Sequence, residues 1–252
     1  MPELKLSPGK TDPYDFQLAR RCGADAIYVL ERFRVNSKFH HNPIGVASRY
    51  YAAVQNSCGW SRVFLADAIT GTPGAFTQLF RVPKPFDPAA TSSQLKNSPE
   101  YGTFFKEKII QGSFERYLLC PLPYDPTEVE PSNLDGPMND VLGSYSASHD
   151  TPEITLLMDE IVVQPGKLLE LINAKQSFFI GKVASQGWAL IAAGTRLDVA
   201  ESDEIVQLWT LPDANRLTLT MRMMTQSAGY RTKVLPYIAF ESQQLLEPRA
   251  GK

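Results

Sequence analysis

The chain is short of the residues that most often announce chemistry: three cysteines and three histidines in 252 residues. Cys22, Cys58 and Cys120 are odd in number, widely spaced and never arranged as CxxC. That argues against a disulfide framework or a thiolate zinc site and makes a reducing cytoplasm the expected compartment. No run of about 18 apolar residues occurs, so no transmembrane helix is expected. The opening "MPELKLSPGKTDPYDFQLARR" lacks the apolar core of a secretory signal. Charge of either sign is not in surplus, since 25 basic against 27 acidic side chains leave a net of −2. Nothing electrostatic therefore points to nucleic acid or an anionic membrane as partner. GxGxxG, the Walker loop, HExxH and GxSxG are all missing, which removes support for dinucleotide, nucleotide triphosphate, zincin and serine-hydrolase chemistry. The expectation is a chain with no cofactor and no metal.

What is present is a repeat. A hydrophobic fraction of 43% and a charged fraction of 21% allow an ordinary globular core. Gly59-Trp60 returns as Gly187-Trp188 (187 − 59 = 128), and Gln78-Leu79 returns as Gln207-Leu208 (207 − 78 = 129). Tyr101 returns as Tyr230 (230 − 101 = 129), and Leu118-Leu119 before Pro121 returns as Leu245-Leu246 before Pro248 (245 − 118 = 127). Four anchors in one order within one residue of 128 describe a tandem duplication, and a duplication dictates architecture.

Each copy reads as β-α-β-β-α-β. In the second, "EITLLMDEIVVQ" has strand composition, Pro165-Gly166 turns the chain, and "KLLELINAKQSFFIGKVAS" carries apolar residues at near-helical spacing. "WALIAAGTRLDV" and "EIVQLWTLP" form a hairpin, Asn215 to about Pro236 reads as helical, and "ESQQLLEP" closes the copy. The first copy repeats this with "AIYVLERFRV", "NPIGVASRYYAAVQNS", "SRVFLADAIT", "AFTQLFRVP", "SPEYGTFFKEKIIQG" and "RYLLCP". The expected division is an arm over 1–22, unit one over 23–121, a Pro/Asp/Gly/Ser-rich linker over 122–151 and unit two over 152–249. The fold class is α+β. A β-α-β-β-α-β unit makes a four-stranded antiparallel sheet with both helices on one face. The bare face would be a large apolar patch, so the two sheets are expected to cover each other as a pseudo-dimeric barrel enclosing a cavity.

At the level of motifs, "VVQPGKLLEL", the following "GW", "IVQLWTLPD" and "GYRTKVLPYIAFESQQLLEP" resemble the NIPSNAP branch of the dimeric α+β barrel superfamily. "FTQLFRVP" and "SPEYGTFFKEKI" with "ERYLLCPLPYDP" fit the same template in unit one, where "NSKFHHNP" replaces the Pro-Gly turn. The resemblance implies the barrel fold and a superfamily of cofactor-free monooxygenases, isomerases, cyclases and haem-binding branches, among which fold does not choose.

Candidate catalytic residues are His40, His41, Glu31, Asp159 and Tyr28. His40 and His41 follow the first strand, where a general base would stand at a cavity mouth, and a polar surface loop is the alternative. Glu31 and Asp159 match under the offset (159 − 31 = 128), as do Arg32 and Glu160. Carboxylates in apolar strands are either paired or used. Because side chains alternate, only one of these two sets looks inward, and Arg32 with Glu160 could pair across the units. Candidate substrate-binding residues are Gln78, Phe80, Gln207, Trp209, Tyr51, Arg32 and Glu160. Gln78 with Phe80, and Gln207 with Trp209, share strand faces and are placed as cavity walls for a flat, partly polar ligand. Tyr28, Tyr50 and Tyr51 could bond a carbonyl or enolate oxygen.

The function expected is cofactor-free proton transfer, as a cyclase, isomerase or lyase, on an apolar or aromatic polyketide-like metabolite in the inter-sheet cavity. A cofactor-free monooxygenase, a non-catalytic ligand-binding or interaction protein, and a haem protein with His40 or His41 as axial ligand stand as alternatives. The expected partner is a small molecule, and the expected state a monomer with an internal pseudo-dimer, or a homodimer.

Overall fold

The computed structural model describes residues 26–39, 42–69, 74–83, 86–122, 155–180, 183, 188–196, 203–211, 217, 221 and 226–249. The arm over 1–22, nearly all of the linker, and His40 and His41 lie outside them.

Unit one runs β1 (Ala26–Arg34), α1 (Pro43–Cys58), β2 (Ser61–Ala68), β3 (Ala75–Pro83), α2 (Pro88–Lys96), α3 (Pro99–Thr103) and β4 (Glu115–Pro121), with α3 continuing as a π-helical turn over Phe104–Lys108. Unit two runs β5 (Thr155–Val163), α4 (Leu168–Lys175) with a π-helical turn over Gln176–Ile180, β6 (Ala189–Arg196), β7 (Glu204–Leu211), α5 (Ala228–Lys233) and β8 (Ile238–Pro248). Helix α2 has no counterpart in the sequence reading, and β8 begins three residues earlier than "ESQQLLEP".

Local chemistry explains the helices. The Asn42 side chain accepts from the Gly45 N–H at 2.9 Å and Pro43 opens α1, so a cap and a preset φ start it together. Its buried positions Val46, Ala47, Tyr50, Ala53 and Val54 make one helical stripe.

All eight strands are antiparallel in one closed barrel of order β1-β3-β2-β8-β5-β7-β6-β4. Each unit supplies four adjacent strands, and both halves of the closure come from the one chain. Within unit one, β1 pairs with β3 from Ala26 opposite Pro83 to Arg34 opposite Ala75. The seams are shorter, Ala66–Ala68 against Leu246–Pro248 and Leu119–Pro121 against Gly194–Arg196.

Alternation then sorts the side chains into three cores. Leu30, Phe64, Leu79, Leu119, Leu156, Met158, Val206 and Leu208 from both units fill the barrel interior. Val29, Phe33, Phe80 and Leu118 turn outward onto α1 and α3, while Leu157, Ile161, Trp209 and Leu211 turn outward onto α4 and α5.

This sorting corrects the expected inter-sheet cavity. The interior void among Leu30, Phe64, Leu79, Met158 and Leu208 is only about 10 Å³, at the lower limit for one water. Medium aliphatic side chains from eight converging strands fill that space. No organic ligand has room there.

Candidate functional site

The same alternation moves the proposed cavity walls. Gln78, Phe80, Gln207 and Trp209 do not face the interior. They face the helices, because Leu79 and Leu208 between them face in. Phe80 packs on Trp60, Tyr50 and Tyr51, and Trp209 packs on Phe179 and Trp188.

Glu31 and Asp159 also take the helix side, which settles which set looks inward. Glu31 is fully buried and each of its oxygens is engaged. Oε1 accepts from the Tyr50 hydroxyl at 2.8 Å and from Arg116 Nε at 2.7 Å, and Oε2 accepts from Gln78 Nε2 at 2.8 Å. Arg116 Nη2 also donates to the Tyr50 oxygen at 2.8 Å, and the guanidinium lies against Phe114 and Tyr101. Burial, then the charge of Glu31, raises the Tyr50 pKa well above its ordinary value, so the phenol stays protonated. Burial opposes the charge on Arg116, yet Glu31 and then the tyrosines hold it more basic than usual. Glu31 is thus a buried carboxylate whose two oxygens are both engaged by side chains. Arg116 was missed in the sequence, and Tyr101 was read there only as a repeat anchor. The pairing of β1 with β4, which sets Arg116 opposite Glu31, was the signal that could have found Arg116.

Arg32 and Glu160 occupy the inward parity, near one end of the barrel. Arg32 Nη2 lies 2.7 Å from Glu160 Oε1 across the two units. The Arg32 and Arg196 guanidinium groups lie 5.5 and 4.1 Å from the Tyr117 ring centroid. Arg32 and Glu160 thus form the expected ion pair between the units. Tyr28 packs against the interior core. Tyr51 stacks on Phe80 with Arg62 over its ring, 4.5 Å from the centroid.

A usable space opens elsewhere in unit one, between α1 and α3. It is a cleft of about 490 Å³. Val46, Tyr50 and Phe104 supply its apolar wall, the last two stacked with centroids 4.1 Å apart. Arg49 and Lys108 stand on its lining as cations and Glu100 as the one acid. The Glu31–Arg116 anchor fixes Tyr50 from behind, so this wall is preorganised. Phe39 and Asn42 also line the cleft, and the Asn42 N–H donates to the Phe39 carbonyl at 2.9 Å. Only His40 and His41 come between them in the chain. Among the described residues no group of three His, Cys, Asp or Glu side chains is placed to hold a metal, and no helix is long and apolar enough to cross a membrane.

No family model and no curated protein matches this chain. Solved structures do. An anthrone oxidase-like protein aligns over 92% of this chain and 94% of its own, with a TM-score of 0.55 at 9% identity. A candidate monooxygenase from Fusobacterium nucleatum subsp. nucleatum aligns over 89% of this chain and 93% of its own, with a TM-score of 0.54 at 12% identity. The chain has the dimeric α+β barrel fold. At such identities the likeness fixes the barrel and leaves its chemistry open. A NIPSNAP domain protein from Burkholderia xenovorans also aligns, over 38% of this chain and 95% of its own at 17% identity; its TM-score of 0.32 decides nothing further.

Proposed function

We propose that the chain binds a flat, largely apolar aromatic ketone in the α1–α3 cleft and moves a proton on it without a cofactor. The observation that carries this is the cleft itself: aromatic and apolar walls, cations on the lining, and an edge that ends at Phe39 and Asn42 on either side of the histidine pair in the chain. A histidine is the side chain suited to abstract a carbon-bound proton near neutral pH. The enolate oxygen that results gains from nearby cations, and Arg49 and Lys108 supply them. His40 or His41 is the base in this scheme.

Cofactor-free oxygenation is the second reading, favoured by the anthrone oxidase-like and monooxygenase neighbours. It begins with the same proton abstraction. In the first reading the carbanion is reprotonated or cyclises; in the second it is oxidised by dioxygen.

Anthrone is a suitable probe. Deuterium exchange at its methylene carbon without oxygen uptake supports proton transfer alone, and oxygen uptake supports the second reading. Filling the cleft with Thr103→Trp is expected to reduce either rate at least tenfold, and the double change His40→Ala/His41→Ala at least a hundredfold with the melting temperature kept. Rates unchanged in both variants would sink the proposal.

A further inference from the structure

The last strand of unit two is longer than that of unit one. β8 has 11 residues against 7 in β4, and under the repeat offset Glu115, the first residue of β4, falls on Ser242 (242 − 115 = 127). Ile238 to Glu241 thus form an extension that the duplication does not call for.

Main-chain bonding shows that one edge of this stretch is open. The Val163 N–H donates to the Asp203 carbonyl on the β7 side, and the Gln164 N–H to the Tyr237 carbonyl on the β8 side. Sides alternate along a strand, so Met158, Glu160 and Val162 of β5 also bond β8. Their partners Gln244, Ser242 and Phe240 therefore spend their main-chain groups on β5. Glu241, Gln243 and Leu245 point theirs the other way. Leu245 meets β2 there, its carbonyl accepting from the Ile69 N–H at 2.9 Å. β2 then turns back into β3, where Asp67 already stands opposite Phe76. No strand among the described residues continues past Ile69 along Gln243 and Glu241. Solvent reaches this stretch, since Ala239, Phe240, Ser242 and Gln243 are exposed, Phe240 at 62%.

Open main-chain donors and acceptors on an exposed edge are a template for another strand. Two observations point to a second copy as the occupant. The open edge continues the β2–β8 seam, so a strand added there prolongs the contact that already joins the units. The edge is also self-complementary about a two-fold axis at Ser242. Glu241 then faces the partner's Gln243, and Gln243 faces the partner's Glu241, so residues with open main-chain groups meet each other. A carboxylate opposite a glutamine is a pairing this chain already uses, with Gln78 opposite Glu31 and bonded to it at 2.8 Å. An axis at Glu241 would set two carboxyl groups opposite each other, which is unfavourable. The register shift between Phe240 and Ile238 is a bulge, and a bulge bends its strand. Ala239 can thereby leave the edge before it reaches the partner's Leu245, which Ile69 occupies.

We propose that Phe240 to Gln244 of β8 form the interface of a homodimer, in which two copies pair these strands antiparallel about an axis at Ser242. This interface does not depend on the reaction assigned to the cleft of unit one.

Sedimentation equilibrium of the whole chain tests it. The unaltered protein is expected to approach twice the chain mass as its concentration rises, and Gln243→Pro to weaken the dimer at least tenfold. That proline removes an N–H that β5 does not use, so the melting temperature of the dilute chain is expected to hold. Ser242→Cys gives a second readout. Facing residues that exchange no bonds lie about 4.5 Å apart at Cα, a span that a disulfide bridges. Mild oxidation is expected to link two copies through position 242, read by peptide mass spectrometry, whereas Gln243→Cys is expected not to link to itself. A chain still monomeric at about 1 mM, a dimer that survives Gln243→Pro, or no link through position 242 would overturn the interface. A monomer whose Glu241 and Gln243 amides exchange slowly with deuterium overturns it too, and assigns the edge to a segment of the same chain.

Discussion

Single residues decide how the helix side of each sheet tolerates buried charge. In unit one, Glu31 accepts three hydrogen bonds, and Arg116 is its one cationic partner among the described residues. Removing only that partner leaves a carboxylate in an apolar core, a change that typically costs about 3–5 kcal/mol. Arg116→Met is expected to lower urea stability by about that much, and adding Glu31→Gln is expected to recover part of the loss. A single variant within about 0.5 kcal/mol of the unaltered protein would show that the pair contributes little. In unit two, Glu241 binds its proton more tightly in the fold, at about 7, than its ordinary value of 4.5 allows in the unfolded chain. Between those values the folded state holds more protons, so stability falls as pH rises through that window and the loss is complete above it. Glu241→Gln is therefore expected to melt higher than the unaltered protein at pH 8 and level with it near pH 4.5. Equal melting temperatures at both would contradict the tighter proton binding by Glu241 in the fold.

At the scale of elements, two of the four repeat anchors in unit one are parts that start or stop helices. Ser98 caps α3 by accepting from the Tyr101 N–H, and Ser227 caps α5 by accepting from the Tyr230 N–H. Each tyrosine is thereby fixed in the buried first turn, which is why both copies carry it. Gly59 ends α1 at φ 68°, a left-handed conformation, and its N–H caps the Gln55 carbonyl. A Cβ added there would meet nothing within 4 Å, so any cost of Gly59→Ala comes from the backbone alone. That cost is expected to be about 1 kcal/mol by chemical denaturation. No loss would mean that the α1 terminus relaxes freely. Strand facing was not legible, and the reason is physical. "FTQLF" and "IVQLW" alternate leucine with glutamine and aromatics, so either face could have been the interior. Taken alone, an amide is better suited to a cavity than to a helix interface. Glu31 overturns that preference, since the Gln78 amide donates to it beneath α1. The cleft was equally hidden, because its walls come from α1 and α3, and only the folded chain brings them together.

On the scale of the whole molecule, the barrel makes the two units one folding problem. The seams carry few backbone pairs, Ala66–Ala68 with Leu246–Pro248 and Leu119–Pro121 with Gly194–Arg196. Side chains bind the halves more extensively. Leu30, Leu79 and Leu119 of unit one share an interior with Leu156, Met158 and Leu208 of unit two. Arg32–Glu160 and Arg249–Asp67 add ion pairs across the units. Either sheet alone would expose its share of that interior to water, so neither unit is expected to unfold by itself. The three tryptophans allow a direct test, because only Trp60 lies in unit one. In a Trp60→Phe background the emission comes from Trp188 and Trp209, both in unit two. Leu79→Ala then removes interior packing contributed by unit one, a truncation that costs about 2–5 kcal/mol in a core. The unit-two emission and the far-UV circular dichroism are expected to shift to lower urea together, along one transition. If the emission midpoint stays in place while the dichroism splits into two steps, the units unfold separately and the shared interior does not couple them.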